Sequence, residues 1–390
     1  MSGGTGLTRV ALIGATGSVG SSVLDICARF PERFQVTALA AYSKSDELLK
    51  LAKRFGAKYA CLHAPPPQTA RAFSDAGIEL IAGAGALESL AEHTDIDHVV
   101  FASSGTGAIK AVQRALASDK DVSLANKESI VAAGPWVMPL LRRKDQLRPL
   151  DSEHNAIWQC LRGEPEKSPT RIMLTASGGP FLNFSPEQMA RITPEDALRH
   201  PVWSMGPKIT VDSATLMNKG MECIEAMQLF GMPPGSVNAL IHPGSFVHGM
   251  VEFCDATVKL LAFKPDMRIP AACALGWPDR LPLCGIDDFA MPSFEKWTLE
   301  FRAPDMTRFP CLSLSLEAAR RGGAYPPLLV GADSSAVQAF LEGRISFLSI
   351  SNIIESALDQ YSGSSPANVD DAVELIMVGR SLADNLITGR

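Results

Sequence analysis

A glycine-rich loop between a short apolar run and a helical pattern constrains the fold of this chain more than any other feature. Val10–Ile13 predicts a buried strand, and Gly14-Ala-Thr-Gly17-Ser-Val-Gly20 follows at once and opens a helix from Val19. Glycines permit a tight turn and close approach to the backbone, and a helix N-terminus offers N–H groups to a phosphate. The spacing is GxxGxxG rather than GxGxxG, so a turn that binds nothing is the alternative. The loop nevertheless predicts a dinucleotide-binding domain.

Strand and helix patterns alternate up to about residue 150, which predicts a parallel sheet with crossover helices. A chain of 390 residues is long enough for two or three domains. Further strands are expected at Phe34–Ala40, Tyr59–Leu62, Val99–Ala102, Val122–Leu124, Ile172–Thr175 and Ala239–His242, a helix from Asp46, a loop at residues 65–67, and C-terminal helices at Leu312–Arg320, Ser335–Leu341, Ile350–Leu358 and Val369–Leu386. We therefore expect an α/β protein with an N-terminal Rossmann-type domain (1–149), an α+β second domain (150–282) containing a lid at about 177–207, a linker (283–310) and a small C-terminal helical domain (311–390).

The composition of the chain argues against two classes of binding partner, nucleic acids and membranes. The net charge is −6, with 36 basic against 42 acidic residues and no extended basic run, so nucleic acid is not an expected partner. No apolar stretch reaches the roughly 18 residues that a membrane span needs. Eight cysteines lie far apart without a CxxC pair, which favours reduced thiols. We expect a cytoplasmic protein that is not attached to a membrane.

The end of the second predicted strand indicates which dinucleotide binds. NAD-specific proteins usually place an acid there for the ribose hydroxyls, but this chain continues Ala41-Tyr42-Ser43-Lys44-Ser45. Ser43 and Lys44 suit a 2′-phosphate, which favours NADP. The alternative makes Lys44 a solvated surface charge and Asp46 a helix cap or a displaced ribose ligand.

Two acidic clusters are candidates for a metal site. Asp151 and Glu153 are two residues apart and would face one side of an extended segment, although Asp151 could equally cap the helical run after it. In the second cluster, Asn218 and Lys219 lie four and three residues before Glu222, so one helix face would carry all three. Their Ala, Leu and Met neighbours imply burial, hence a site or a salt bridge. Carboxylates without cysteine favour Mg²⁺ or Mn²⁺ over structural zinc.

The polar segments between these two clusters are weaker evidence for a binding site. Ser177-Gly-Gly-Pro180 could wrap a phosphate, although an ordinary turn is the alternative. The stretch from His200 to Gly206 has the character of a lid, although His200 alone could be a helix-end histidine. His242 and His248 are interpreted as structural.

Taken together, these motifs resemble the 1-deoxy-D-xylulose 5-phosphate reductoisomerase family. The resemblance covers most of the chain and rests on the segments Gly14–Gly20, Ala125–Ser129, Asp151–Asn155, Ser177–Phe181, His200–Met205, Asp212–Glu222 and Lys264–Arg268. It implies a homodimeric enzyme that isomerises a phosphorylated ketose and reduces the product with NADPH, giving 2-C-methyl-D-erythritol 4-phosphate for non-mevalonate isoprenoid synthesis.

The resemblance also implies roles for individual residues. Asp151, Glu153 and Glu222 would bind Mg²⁺, Mn²⁺ or Co²⁺ and, with Lys127 and His200, form the catalytic group. The substrate contacts would be Lys127, Ser152, Glu153, Ser177, His200, Trp203, Ser213, Asn218, Lys219 and Glu222, with Trp203 and Met205 in the lid. The NADPH contacts would be Thr16, Gly17, Ser18, Val19, Asn126, Glu128 and Gly206, joined by Ser43 and Lys44 from the strand-end argument. The chain departs from the family at Tyr42–Lys44, at Gly244 and at Gly331–Ser335, where the family usually has a glycine-led stretch, glutamine and an Asn-Ala-Ala-Asn-Glu-like segment.

Three other classes of protein also fit parts of the pattern. Short-chain dehydrogenases need a tyrosine followed four residues later by lysine, and no tyrosine here has that spacing. Semialdehyde dehydrogenases need an activated cysteine, for which Cys160 and Cys223 are the only open candidates. An NADP-sensing regulator would bind NADPH without consuming it and would need no carboxylate cluster.

Overall fold

The computed structural model describes residues 6–63, 65–199, 206–284, 286–291, 295 and 297–389. Its strands are β1 (Thr8–Ile13), β2 (Phe34–Ala41), β3 (Tyr59–Leu62), β4 (Glu79–Ala82), β5 (His98–Phe101), β6 (Asp121–Leu124), β7 (Leu147–Pro149), β8 (Pro169–Ala176), β9 (Val237–Ile241), β10 (Val247–Phe253) and β11 (Val258–Ala262). Its helices are α1 (Ser18–Arg29), α2 (Ser45–Phe55), α3 (Pro67–Ser74), α4 (Ala86–Ala91), α5 (Ile109–Ala117), α6 (Lys127–Val137), α7 (Ser152–Cys160), α8 (Pro186–Met189), α9 (Pro194–Ala197), α10 (Pro207–Thr215), α11 (Met217–Phe230), α12 (Arg268–Gly276), α13 (Pro310–Arg321), α14 (Tyr325–Leu341), α15 (Ser349–Gln360) and α16 (Val369–Thr388). Within these ranges, no helix is long and apolar enough to cross a membrane.

The chain divides into two compact units. The first comprises residues up to 129, 139–155 and 266–284, and the second comprises 130–138, 156–265 and the residues from 285 onward. Helices α6 and α7 begin in the first unit and end in the second. The four-part domain division expected from the sequence stays a prediction.

A seven-stranded sheet forms the centre of the first unit. Its strand order is β4-β3-β2-β1-β5-β6-β7 and every pair is parallel, so all the carboxyl ends lie at one edge. Residues Val10–Ile13 and Val99–Phe101 are almost completely buried, as expected for strands covered on both faces. Helix α12 packs against α1 and adds Ala271 and Leu275 to this core.

The first unit differs from the sequence expectations at three places. Strands β4 and β7 were not predicted, because Glu79–Ala82 and Leu147–Pro149 are too short to show a period. Residues 65–67 were expected to be loop, yet α3 begins at Pro67, the helix position where a missing backbone N–H costs least.

A four-stranded mixed sheet and a set of helices form the second unit. The strand order is β11-β10-β8-β9, with β10 antiparallel to both neighbours and β8 parallel to β9. Helices α14 and α16 approach closely because two glycines face the partner backbone. A Cβ on Gly331 would lie 2.0 Å from the Ile376 carbonyl oxygen, and one on Gly379 would lie 2.3 Å from that of Leu328.

Candidate functional site

The glycine loop is fixed at the carboxyl edge of the first sheet. Gly14 has a φ of +87°, and its N–H and that of Ala15 both donate to the Ala40 carbonyl oxygen at 2.9 Å. A Cβ on Gly20 would lie 2.2 Å from the Gly14 carbonyl oxygen. Glycine is therefore required at both positions for the strand to turn directly into the helix.

Helix α1 begins at Ser18 with Gly17 as its N-cap, and no side chain caps it there. Its first turn contains no acidic residue that would repel an anion. A glycine cradle that leads into an uncapped helix N-terminus fits the pyrophosphate of a dinucleotide. The predicted cofactor residues Thr16, Gly17, Ser18 and Val19 lie in this turn.

Asn126 and Glu128 support the loop that follows β5. The Asn126 amide donates to the carbonyl oxygens of Ser103 at 3.0 Å and Gly105 at 2.7 Å, and Glu128 accepts from the Gly105 N–H at 2.9 Å. Both side chains are buried. The residues assigned to the cofactor by resemblance thus hold loop backbone at the carboxyl edge of the sheet.

Asp151 is the centre of an ionic cluster in the first unit. Its Oδ2 lies 3.0 Å from the Lys127 ammonium, and its Oδ1 lies 3.2 Å from Nδ1 of the buried His154. The same Oδ1 accepts from the Glu153 N–H at 3.3 Å. The Asp151 carboxylate therefore caps α7 and also forms an ion pair with Lys127, so the two roles are compatible.

Of the two alternatives for Asp151 and Glu153, the extended segment is wrong and the helix cap is confirmed. Helix α7 begins at Ser152, so Glu153 belongs to its first turn, where the helix dipole favours a carboxylate. The Ser152 hydroxyl lies 2.5 Å from Glu153 Oε2. His154 was not proposed from the sequence, although its position three residues after Asp151 was a usable signal for one helix face.

Helix α11 carries the second cluster, as the spacing predicted. Glu222 is 1% exposed; its Oε1 accepts from the Asn218 amide at 2.5 Å and its Oε2 accepts from the Lys219 ammonium. Glu225, one turn further along, is equally buried and was missed, although it is three residues from Glu222. Lys219, Glu222 and Glu225 are buried charged groups and are costly to desolvate, which indicates a site rather than a solvated surface.

A glycine turn lies against α10 in the second unit. Gly178 and Gly179 have φ angles of +91° and +69°, and the Gly179 N–H donates to the Ser177 hydroxyl at 3.2 Å. A Cβ on Gly179 would lie 2.9 Å from the Ser213 carbonyl oxygen. The glycines therefore bring the backbone of the Ser177 loop onto the segment that carries Ser213.

Part of the predicted lid falls within residues 200–205, which are not among the described residues. His200 and Trp203, with Met205, lie outside the described residues. Gly206, assigned to the cofactor, is the exposed N-cap of α10. His242 and His248 are buried and bond to the carbonyl oxygens of Glu300 and Phe263.

The thiols are poor candidates for a nucleophile. Burial raises the pKa of Cys160 to about 11 and that of Cys223 to about 12, so both stay protonated at neutral pH. This argues against the semialdehyde dehydrogenase alternative. A Rossmann-type nucleotide domain joined to a unit with buried carboxylates, a lysine and an amide defines the class: a dinucleotide-dependent oxidoreductase.

Comparison with known proteins identifies the family. Models of 1-deoxy-D-xylulose 5-phosphate reductoisomerase match residues 10–134, and models of its C-terminal domains match residues 147–230 and 263–382. The chain therefore belongs to the 1-deoxy-D-xylulose 5-phosphate reductoisomerase family, which confirms the resemblance.

Individual relatives agree with this assignment. The reductoisomerase of Bordetella avium is 43% identical and covers 98% of this chain and 99% of its own, and that of Thermosynechococcus vestitus is 41% identical over 92% and 87%. The structure of the Zymomonas mobilis enzyme in complex with NADPH has a TM-score of 0.89 at 38% identity and covers 99% of this chain and 100% of its own. A reductoisomerase in complex with NADPH, fosmidomycin and magnesium gives 0.90 at 34% identity, covering 98% of each chain. The expected α/β fold is confirmed.

Proposed function

We propose that the residues described above carry out the reaction of this family. The chain is an NADPH- and divalent-metal-dependent enzyme that isomerises and reduces 1-deoxy-D-xylulose 5-phosphate to 2-C-methyl-D-erythritol 4-phosphate in non-mevalonate isoprenoid synthesis. The observation that carries the residue assignment is the buried Glu222 carboxylate, held by Asn218 and Lys219 on one face of α11.

The proposed metal ligands are Asp151, Glu153 and Glu222. All three supply carboxylate oxygens, the hard donors that suit Mg²⁺, Mn²⁺ or Co²⁺. Asp151 contacts the Lys127 ammonium, and Glu222 contacts the Lys219 ammonium. Each ammonium balances the charge of a carboxylate that would also bind the metal. When bound, the ion polarises the substrate carbonyl as a Lewis acid.

The substrate would bind through hydroxyl, amide and ammonium groups. Ser177, Ser213, Asn218 and Lys219 offer hydrogen-bond donors suited to the phosphate, with the glycine turn holding the Ser177 loop against α10. Lys127 and Ser152 would contact the sugar skeleton beside Asp151, with Lys127 placed to hold or pass a proton. His200 and Trp203 are assigned to substrate and lid by resemblance.

NADPH would occupy the glycine loop of the first unit. Thr16, Gly17, Ser18 and Val19 would bind its pyrophosphate, and Asn126 and Glu128 would keep the loop after β5 in place beside it. Gly206, Ser43 and Lys44 complete the proposed set. Lys44 is 61% exposed and lies 3.1 Å from Glu47, an exposed pair that a phosphate could displace at little cost.

One assay tests the assignment. NADPH absorbance is followed with 1-deoxy-D-xylulose 5-phosphate, after EDTA treatment and after addition of Mn²⁺. We expect oxidation that EDTA abolishes and Mn²⁺ restores. Glu222→Gln should lose Mn²⁺ binding and activity together, while Glu317→Gln, which alters an exposed acid on α13, should retain both. Full activity and Mn²⁺ binding in Glu222→Gln would overturn the ligand assignment.

We also propose a homodimer formed through the edge of the four-stranded sheet. Among the described residues, strand β11 pairs with β10 alone, and its Val258 and Leu260 are 50% and 41% exposed on the same face. An open edge with apolar side chains favours pairing with a second copy about a twofold axis. Analytical ultracentrifugation should find a dimer that Leu260→Glu dissociates and that Met377→Glu, at an exposed position of α16, leaves intact. A wild-type monomer would refute the dimer, and a dimer that survives Leu260→Glu would refute its site.

A cytoplasmic location is proposed on two grounds. All eight cysteines are described, and none forms a disulfide. The helices of the described residues include none that could span a membrane. Fractionation of cells that express the chain would test this location.

A further inference from the structure

Two exposed rings lie side by side at the carboxyl edge of the first sheet. Tyr42 follows β2, His63 follows β3, and the pairing of Ala41 with Leu62 brings the next residue of each strand together. The rings are stacked, with centroids 5.2 Å apart and planes 12° from parallel. The pair is thus built by the sheet register.

One face of Tyr42 is covered by His63, yet Tyr42 remains 76% exposed. The stacked pair leaves the ring's other face open. An aromatic face in water gains free energy when a flat aromatic group covers it. A ring whose rotation is restrained by a stacked neighbour also loses less conformational entropy on binding.

The rings are close to the nucleotide loop along the sheet. Gly14 and Ala15 both donate to the carbonyl oxygen of Ala40, two residues before Tyr42. In parallel α/β sheets the end of the second strand meets the ribose on the adenosine side of a dinucleotide. Ser43 and Lys44, assigned above to the 2′-phosphate, follow Tyr42 immediately. An adenine ring is therefore the flat group expected next to them.

We propose that Tyr42, stacked on His63, is the platform for the adenine ring of NADPH in this chain. The inference rests on the proposed cofactor site and adds a contact made by a side chain that the family's usual glycine-led stretch would not provide. The base would lie on the open face of Tyr42, which recognises a ring rather than a particular hydrogen-bonding edge. Tyr42 and His63 would thus raise affinity for the adenosine half of the cofactor, leaving the choice of NADP over NAD to Ser43 and Lys44.

Binding measurements with fragments of the cofactor test this platform. Dissociation constants of NADPH, 2′,5′-ADP and reduced nicotinamide mononucleotide are measured for wild type and for Tyr42→Ala, Tyr42→Phe and His63→Ala. Base–aromatic stacking predicts a loss of roughly five- to a hundredfold for Tyr42→Ala. That loss should appear equally for NADPH and 2′,5′-ADP and should be absent for the mononucleotide. Tyr42→Phe should bind like wild type, and His63→Ala should give a smaller loss.

Leu7→Ala is the matched control, because Leu7 is 43% exposed and precedes β1 at the opposite edge of the same sheet. It should leave all three constants unchanged. The platform is refuted if Tyr42→Ala, with a wild-type melting temperature, binds 2′,5′-ADP within twofold of wild type. A wild-type chain that binds no NADPH would instead refute the cofactor site itself.

Discussion

The Lys208 ammonium lies 2.5 Å from Oδ2 of Asp333, a carboxylate with no solvent exposure in α14. The same ammonium lies 2.6 Å from Oδ2 of Asp212, which is 4% exposed and precedes Ser213 on α10. One lysine thus links two buried acids that are 121 residues apart (333 − 212). It ties the helix that carries a proposed substrate contact to the C-terminal helical core.

Lys208→Met should destabilise the second unit, because two buried carboxylates would lose their shared cation. Losing one partner of a fully buried ion pair lowers the free energy of unfolding by about 3–5 kcal/mol. Because the Lys208 side chain is 32% exposed, we expect a smaller loss of about 2 kcal/mol. Urea unfolding of Lys208→Met, Asp333→Asn and the double variant measures this coupling. The double variant should be more stable than the sum of the single losses predicts, and strict additivity would contradict the link.

Lys219→Met should destabilise the metal-free protein and make its stability depend on metal. Glu222 would remain buried without the ammonium that contacts it, at a cost of about 3–5 kcal/mol. A divalent ion that binds Glu222 would replace the missing charge, so Mn²⁺ should raise the melting temperature more in the variant than in wild type. Arg320→Met, which breaks an exposed pair with Glu317 on α13, is the control and should change stability by less than about 1 kcal/mol. An equal Mn²⁺ effect in all three proteins would contradict the ligand role of Glu222.

The features that the sequence predicted well are local ones. The GxxGxxG turn follows from residues within seven positions of one another, and the Asn218–Lys219–Glu222 face follows from the helical repeat. Both depend on short-range geometry that the residue order specifies. For Asp151 and Glu153 the sequence left two alternatives, an extended segment and a helix cap, and the structure has the cap because the backbone begins a helix at Ser152.

Contacts between distant segments could not be predicted in the same way. No local pattern pairs Lys208 with Asp333, and the stack of Tyr42 on His63 depends on the register between β2 and β3. The register of neighbouring strands depends on which faces are buried, and that depends on the whole sheet. The three-residue strand β7 likewise exists because β6 offers it a hydrogen-bonding edge.

His98 should make the first unit sensitive to mild acid. Its ring is buried, and its Nε2 shares a hydrogen bond of 2.8 Å with the Ser123 hydroxyl. Burial, and after it the positive charge of Arg148, lowers the pKa of His98 from 6.5 to about 3. Below pH 6.5 His98 is protonated in the unfolded chain but stays neutral in the folded chain. This stability is therefore fully present above pH 6.5 and is lost as the pH falls towards 3.

Comparison with a residue that does not titrate isolates this effect. Between pH 7 and pH 5, wild type should lose about 2 kcal/mol more than His98→Asn, whose amide can keep a bond to Ser123. Equilibrium unfolding at several pH values measures the difference. Parallel stability curves for the two proteins would show that His98 is not the group responsible.

Substitutions at Gly17 and Gly20 should separate two roles of the glycine loop, the stability of its turn and the binding of NADPH. A Cβ on Gly20 would lie 2.2 Å from the Gly14 carbonyl oxygen, a contact that only a backbone shift can relieve. A Cβ on Gly17 would lie 3.3 Å from the same oxygen, which needs an adjustment of a few tenths of an ångström. Gly20→Ala should therefore lower stability by roughly 2 kcal/mol or more, within the range of overpacking, and weaken NADPH binding through the distorted turn.

Gly17→Ala should keep a near-wild-type melting temperature and still bind NADPH at least tenfold more weakly, because its methyl group would occupy the space that a pyrophosphate needs beside the N-terminus of α1. Calorimetric melting and NADPH fluorescence titration of both variants give the two quantities separately. Wild-type affinity in a stable Gly17→Ala variant would mean that the cofactor phosphates do not approach this turn.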